Sequence, residues 1–374
     1  MAALKRTPLY EAHQKAGARL IDFGGWEMPV QYTGIMDEHN TVRSAGGVFD
    51  ISHMGEVFVR GARAADFLNS VLTNDIRKLT AGQAQYTLMC NEQGGVVDDL
   101  YAYQLAPNDY LLIINASRID ADVPWLQSKL APSLFAKDCS IENVSDSYAA
   151  VAVQGPRVHE IIDQIVPGGS PAPSALKKNE VTIIGQAPRQ SFIARTGYTG
   201  EDGFEIVTPA SEIVAVWNRA LELGQNIGLK PAGLGARDTL RTEMCYPLYG
   251  HELNEEITPM EAGLGFFVAL DKGDFIGREV LSKQKAEGVS RRCVAFVMKD
   301  KSAPPRPGYA ICAPGGQAIG QVVSGTLSPS LSNGIGLGYV PTASAKQGTP
   351  IEIEIRGRRS AAQIVPKPIY RKAV

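Results

Sequence analysis

The residues best suited to chemistry in this chain crowd into one glycine-bent stretch, Ala194-Arg195-Thr196-Gly197-Tyr198-Thr199-Gly200-Glu201-Asp202-Gly203-Phe204-Glu205. Glycines three apart disfavour a stable helix, because each loses backbone freedom and packs no side chain in return. Residues 191–195 and 204–207 read as strands, so the stretch is a tight loop carrying an aromatic ring and three carboxylates. A stiff loop with that much chemistry is a place for a ligand to bind. A decorated hairpin is the plainer alternative. Gly197, Gly200 and Gly203 are expected to shape the turn, and Glu201 and Asp202 to be solvated.

A second site is Asn91-Glu92-Gln93-Gly94-Gly95-Val96-Val97-Asp98-Asp99-Leu100, a Gly-Gly turn followed by a strand that opens on adjacent aspartates. Neighbours on a strand point to opposite faces, so one of Asp98 and Asp99 faces inward. An inward carboxylate there can accept a hydrogen bond or a proton from a substrate amine. Otherwise both are solvated edge residues that discourage strand pairing. Arg237, followed by Asp238, comes after Gly233-Leu234-Gly235 and before a helical run at 239–244. Its fixed fork of donors suits an anion, though an ordinary Arg-Asp ion pair is the alternative. The glycines lack the third member and the βαβ context of a nucleotide loop. Phe23-Gly24-Gly25-Trp26-Glu27-Met28-Pro29 and Phe49-Asp50-Ile51-Ser52-His53-Met54-Gly55-Glu56 read as aromatic- or Met-bearing loops. Taken singly, Trp26 and Met54 read as core residues, and His53 as a satisfied structural histidine. Cys245 is expected to be buried. No Ser-His-Asp or Cys-His arrangement follows from the spacing.

The elements that must hold these groups are interspersed strands and helices. Residues 55–60 alternate like a strand, and 63–73 follow as an amphipathic helix with Phe67, Leu68 and Leu72 on one side. Residues 100–105 and 110–115 form a hairpin across Ala-Pro-Asn-Asp. Residues 120–130 read as a helix with an early Pro124, and 150–153 as a strand. Gln154-Gly155-Pro156 is expected to start a helix. Residues 167–174 form a loop, and 213–223 a helix. Beyond a composition change near 285–292, short runs at 293–297, 309–312, 318–324, 336–340 and 350–355 read as an all-β domain.

A length of 374 residues calls for two or three domains. A net charge of −2, from 37 basic and 39 acidic residues, argues against nucleic-acid binding as the main business. Five scattered cysteines without a CxxC pair, and five histidines without HxxxH spacing, suggest neither a disulfide framework nor a metal site. No apolar leader and no run near the roughly 20 residues that span a bilayer is present, so a membrane-free, cytoplasmic protein is expected. For a processed eukaryotic form, the mitochondrial matrix would take the place of the cytoplasm.

Taken in order, these motifs resemble the T-protein family of the glycine cleavage system, the tetrahydrofolate-dependent aminomethyltransferases. The resemblance runs from Lys5-Arg6-Thr7-Pro8-Leu9-Tyr10 and Gly24–Pro29 through 50–56, 94–100, 195–205 and 233–238. It ends with Ser324-Gly325-Thr326-Leu327-Ser328-Pro329 and Lys367-Pro368-Ile369-Tyr370. It implies an α+β, multidomain fold: three domains in a cloverleaf around a central folate cavity. These would be a discontinuous, ferredoxin-like domain of residues 1–50 plus 142–230, a second α+β domain of 51–141 plus 231–285, and a C-terminal β-barrel or jelly-roll-like domain of 286–374. Asp99 matches the family's catalytic aspartate, near N10 of the folate. Tyr198 and Glu205 match the pterin pocket, Arg237 an arginine at the folate site, and Tyr86 and Asn115 positions beside that pocket. Met54 and Tyr370, the latter a C-terminal folate contact, complete the expected cofactor-binding set.

The implied reaction takes an aminomethyl group from the dihydrolipoyl arm of a lipoylated H-protein. It releases ammonia and forms 5,10-methylenetetrahydrofolate, without a metal. Two alternatives stay open at this point. One is another folate-dependent one-carbon demethylase on the same fold. The other is a non-enzymatic folate-binding protein of iron–sulfur cluster assembly, whose Lys-Gly-Cys-Tyr-x-Gly-Gln signature is not matched by Glu243-Met244-Cys245-Tyr246-Pro247-Leu248-Tyr249-Gly250.

Overall fold

The structure, a computed structural model, describes residues 3–372. The chain divides into two compact units, residues 1–87 with 99–237 and residues 88–98 with 238–374.

The first unit is α+β. A six-stranded sheet has the order Val181–Ile184, Ser191–Ala194, Gly203–Pro209, Tyr148–Gln154, Gly47–Asp50, Lys230–Pro231. Its pairings are antiparallel except the last, where Lys230 meets Gly47 in parallel. The helix Ile213–Gly224 buries Ile213, Val216, Trp217 and Ala220, a spacing that puts one stripe toward the sheet. That stripe packs with Val151, Val153, Ile193 and Phe204 in one core. A five-stranded sheet follows the order Gln83–Cys90, Val96–Ala106, Asp109–Ile114, Gly55–Arg60, Ser140–Asn143. The hairpin expected across residues 100–115 is present, with a longer first arm.

Several expectations are corrected. Phe23–Pro29 is not a loop. Strands Arg19–Phe23 and Trp26–Gln31 pair as a hairpin whose turn, Gly24-Gly25, has φ of 60° and 87°. Two consecutive positive φ values match the right-handed twist of the strands, and only glycine adopts them cheaply. After Gln154-Gly155-Pro156 the chain makes a 3-10 turn, Val158–Glu160, and then a one-turn helix, Ile162–Ile165, in place of a helix starting at once. The helix expected at 239–244 spans Leu234–Glu243, so Arg237 lies inside it rather than ahead of it. The Glu38 carboxylate accepts the Gly233 N–H at 2.8 Å and satisfies a donor that a helix start otherwise leaves open. A Cβ on Gly233 would stand 2.5 Å from the Val30 backbone.

The second unit ends in a closed barrel. Its order is Arg291–Met298, Asn333–Pro341, Ala318–Ser328, Ala310–Cys312, Pro350–Ile355, Arg358–Val365. Phe296, Ile311, Val322, Ile353 and Ile364 fill its interior. The last strand, Arg358–Val365, begins on charged residues and escapes an apolar-run reading. Gly336 and Gly338 alternate along one strand because a Cβ there would lie 2.4 Å from Phe296 and from Ile311, respectively. Gly95 is likewise needed for contact: a Cβ would meet the Glu255 carbonyl at 1.8 Å. Cys245 is only half-buried, at φ 60°, whereas the other four cysteines are buried.

Candidate active site

Strand Val96–Ala106 sends Asp99, Tyr101 and Tyr103 to one face by its two-residue period. Asp98, on the other face, is fully buried, while Asp99 is half-buried. The adjacent aspartates thus split as expected, but the candidate catalytic group is the more open one. Asp99 is held at both oxygens. The Tyr86 hydroxyl donates to Oδ2 at 2.8 Å. Asn115 Nδ2 donates to Oδ1 at 3.0 Å and to the Asp99 carbonyl at 3.0 Å. Tyr86 lies on a strand of the same sheet and Asn115 directly follows another, so the carboxylate direction is set by the sheet.

From Asp99 the face continues as a row of phenols. Tyr86 meets Tyr101 edge-on at 5.9 Å between centroids, and Tyr101 and Tyr103 are also 5.9 Å apart. The buried Tyr103 hydroxyl lies 3.3 Å from Thr196 Oγ1, and Thr196 donates to Glu205 Oε2 at 2.5 Å. Burial, with the Glu205 charge second, pushes the Tyr103 hydroxyl well above its ordinary pKa, so it stays protonated. The sequence reading passed over Tyr101, Tyr103 and Thr196. The alternation Asp99-x-Tyr101-x-Tyr103 was the available signal for the two tyrosines.

The loop that carries Tyr198 wraps around Gln154, the last residue of a strand in the six-stranded sheet. Gln154 Nε2 donates to the Thr196 carbonyl at 3.0 Å, and Thr199 Oγ1 donates to Gln154 Oε1 at 2.9 Å. Of the three loop glycines only Gly200 has a positive φ, 82°. Gly197 and Gly203 are needed for space, since a Cβ would stand 1.9 Å and 2.5 Å from the Gln154 amide. Glu201 and Asp202 are not solvated bystanders. Arg43 bonds Glu201 at 3.1 Å and the Thr199 carbonyl at 2.8 Å, with the Glu201 side chain 4% exposed. Arg195 grips Asp202 with two bonds of 2.9 and 2.6 Å. These two acids brace the loop that presents Tyr198.

Arg237 does not pair with Asp238, which Arg241 binds instead at 2.7 Å. Its guanidinium lies over the Tyr198 ring, 4.7 Å from the centroid. Burial lowers its pKa, opposed by the charges of Glu205 and Tyr198, and its Nη1 is buried without a hydrogen-bond partner. The structure therefore joins Asp99, Tyr86 and Asn115 at one end of a tyrosine row and Glu205, Tyr198 and Arg237 at the other. Met54 ends the turn before Gly55, whose partner across the sheet, Ile114, precedes Asn115. Tyr370 belongs to the second unit, where its N–H donates to the Glu243 carbonyl at 3.0 Å. Among the described residues, no group of three or more His, Cys, Asp or Glu side chains is placed to hold a metal ion.

A half-open carboxylate oriented by neutral donors can hold or take a proton. A second carboxylate beside a stacked, buried guanidinium can grip the polar edges of a flat ring. On an α+β body followed by a closed barrel, this arrangement suits a flat, polar ring bound beside an oriented carboxylate.

Comparison with known proteins narrows the class. Residues 9–272 match the GCVT N-terminal domain, and 291–371 match the glycine cleavage T-protein C-terminal barrel domain. The chain is 48% identical to an aminomethyltransferase of Caldanaerobacter subterraneus subsp. tengcongensis over 99% of its own length and 96% of the relative's. Against an aminomethyltransferase of Alkaliphilus oremlandii the identity is 46%, over 100% and 99%. The crystal structure of glycine cleavage system aminomethyltransferase T from Bartonella henselae superposes with a TM-score of 0.90 at 33% identity, covering 98% of each chain. The chain belongs to the glycine cleavage T-protein family.

Proposed function

We propose that this aminomethyltransferase of the glycine cleavage system takes its aminomethyl group from the dihydrolipoyl arm of a lipoylated H-protein and passes the carbon to tetrahydrofolate, with release of ammonia. The single observation that carries the residue assignment is the double tether of Asp99 by Tyr86 and Asn115.

The residues present fit a reduced pterin. Its donor-rich, guanidine-like edge suits the Glu205 carboxylate, its faces suit Tyr198 and the tyrosine row, and the orphaned Arg237 Nη1 offers a donor that no protein group uses. Tetrahydrofolate supplies the two nitrogens, N5 and N10, that take up the one-carbon unit. Asp99 orients N10 and accepts its proton as a general base. Tyr86 and Asn115 keep the carboxylate in one rotamer, so little of the gain from proximity is lost to side-chain freedom. Tyr198 and Arg237 fix the ring plane. Met54 adds apolar surface beside Asn115. The three-part division at residues 50/51, 141/142, 230/231 and 285/286 belongs to the same proposal, supported by a barrel whose first strand starts at Arg291.

The deciding experiment supplies aminomethyl-loaded H-protein and tetrahydrofolate and measures methylenetetrahydrofolate and ammonia. Both should form, at a rate that depends on loaded H-protein. Turnover only with small N-methyl or S-methyl donors would replace this reading with that of a folate-dependent demethylase.

A further inference from the structure

Glu205 comes from strand Gly203–Pro209 of the six-stranded sheet, whereas Asp99 and Tyr103 share a face of strand Val96–Ala106 in the five-stranded sheet. Thr196 joins the two. It stands two residues beyond Ala194, the cross-strand partner of Glu205, where the chain leaves its strand for the glycine-bent loop. The residue is 5% exposed. Its hydroxyl donates to Glu205 Oε2 at 2.5 Å and lies 3.3 Å from the Tyr103 hydroxyl. Its carbonyl is held separately, by Gln154 Nε2 at 3.0 Å. The hydroxyl is therefore not what anchors the loop.

Counting protons gives this chain a direction. A threonine hydroxyl carries one proton and otherwise only accepts. With that proton on Glu205, Oγ1 can only accept, and the buried Tyr103 phenol, which stays protonated, is the neighbouring donor. The carboxylate is the acceptor at the end. The last torsion of a glutamate is soft, so a carboxylate without such a partner turns through a broad range. A short, charge-assisted bond to one oxygen stops that rotation.

We propose that Thr196 is a positioning residue for the ring-edge site: its hydroxyl, itself oriented by Tyr103, sets the plane in which the Glu205 carboxylate reads its ligand. The inference rests on the folate reading of the site and deepens it. Two parallel hydrogen bonds from a flat donor-rich edge require the carboxylate in the plane of that edge. Thr196 selects the plane before the ligand arrives, so less side-chain ordering is left to binding. The contact also ties Glu205 to the strand that carries Asp99, so the two carboxylates keep a fixed separation.

The test titrates tetrahydrofolate by calorimetry into full-length wild type, Thr196→Val, Thr196→Ser, Glu205→Ala and the double variant Thr196→Val with Glu205→Ala. Thermal unfolding checks that each is folded. Thr196→Val keeps the shape and loses the hydroxyl, and it should bind about tenfold more weakly. Thr196→Ser keeps the hydroxyl and should bind within a few-fold of wild type. On the Glu205→Ala background, adding Thr196→Val should leave the affinity unchanged, because the hydroxyl acts through that carboxylate. A merely structural threonine would weaken both backgrounds alike. The proposal is overturned by wild-type affinity in Thr196→Val, by Thr196→Ser weakened as much as Thr196→Val, or by a tenfold loss on the Glu205→Ala background too. If Thr196→Val does not fold, Thr196→Ala takes its place with the same expectations. Failure of the wild type to bind tetrahydrofolate would instead remove the folate reading, and this inference with it.

Discussion

Asp99 owes its direction to two neutral donors, and that arrangement separates its own role from theirs. Asp99→Asn keeps the size and removes the proton acceptor. Turnover should fall by roughly two to four orders of magnitude, the usual worth of a general base, while tetrahydrofolate affinity stays within a few-fold of wild type. Tyr86→Phe removes one tether at 2.8 Å and leaves that of Asn115. It should cost only about tenfold in kcat, as expected for one hydrogen bond. A steady-state comparison of the two variants checks the order, and Tyr86→Phe falling as far as Asp99→Asn would make the tyrosine a proton carrier in its own right. His53 bears on stability as well. Its folded pKa of about 4 lies below the ordinary 6.5, chiefly through burial. Between those values the unfolded chain binds a proton that the folded chain refuses. Its contribution to stability is therefore full above pH 6.5 and is lost as pH falls toward 4, by about 3 kcal/mol. Urea midpoints measured down that range should decline in the wild type and decline less in His53→Leu.

At the scale of elements, the loop at 194–205 is placed by the strand it wraps. Gln154 is the post, and the glycines at 197 and 203 let the loop close on it. Gly203→Ala puts a methyl 2.5 Å from the Gln154 amide and 2.6 Å from the Val153 carbonyl. Overpacking of that kind should cost about 1–3 kcal/mol. Because the displaced segment holds Tyr198, the Michaelis constant for tetrahydrofolate should rise along with the drop in melting temperature. Gly200→Ala acts differently. It strains the φ of 82°. It should cost about 1–2 kcal/mol with a smaller effect on the Michaelis constant. Kinetics and thermal unfolding of the pair tell steric support from turn geometry.

For the molecule as a whole, burial governs the thiols. Cys90, Cys139, Cys293 and Cys312 are buried and Cys245 is half-buried. Burial raises the thiol pKa throughout this set wherever a shift is seen, to about 11 for Cys139 and about 12 for Cys245. The thiolate is the reactive form, so a colorimetric thiol titration of the native protein at pH 8 should be slow and incomplete. All five should react promptly in guanidinium chloride. No helix among the described residues is long and apolar enough to cross a membrane.

Local patterns alone located the strands around the loop at 194–205, the hairpin at 100–115, the helix at 213–223 and the β-rich tail, because period and turn chemistry are properties of neighbouring residues. They marked Arg237 as a candidate, whereas Asp99, Tyr198 and Glu205 were picked out by the resemblance to a known family. What those residues touch was decided in three dimensions. Nothing near Arg237 in sequence says that Asp238 turns to Arg241 while Arg237 lies over Tyr198. Nothing near Glu201 announces Arg43, 158 residues away, and solvation was the natural expectation for a turn carboxylate. Glycine spacing suggested turn geometry, but two of the three glycines answer to Gln154, a residue of another strand. Sequence determines which groups are available and the period on which they are strung. Packing determines which buried atoms are satisfied by the protein and which, as at Arg237 Nη1, find no partner within it.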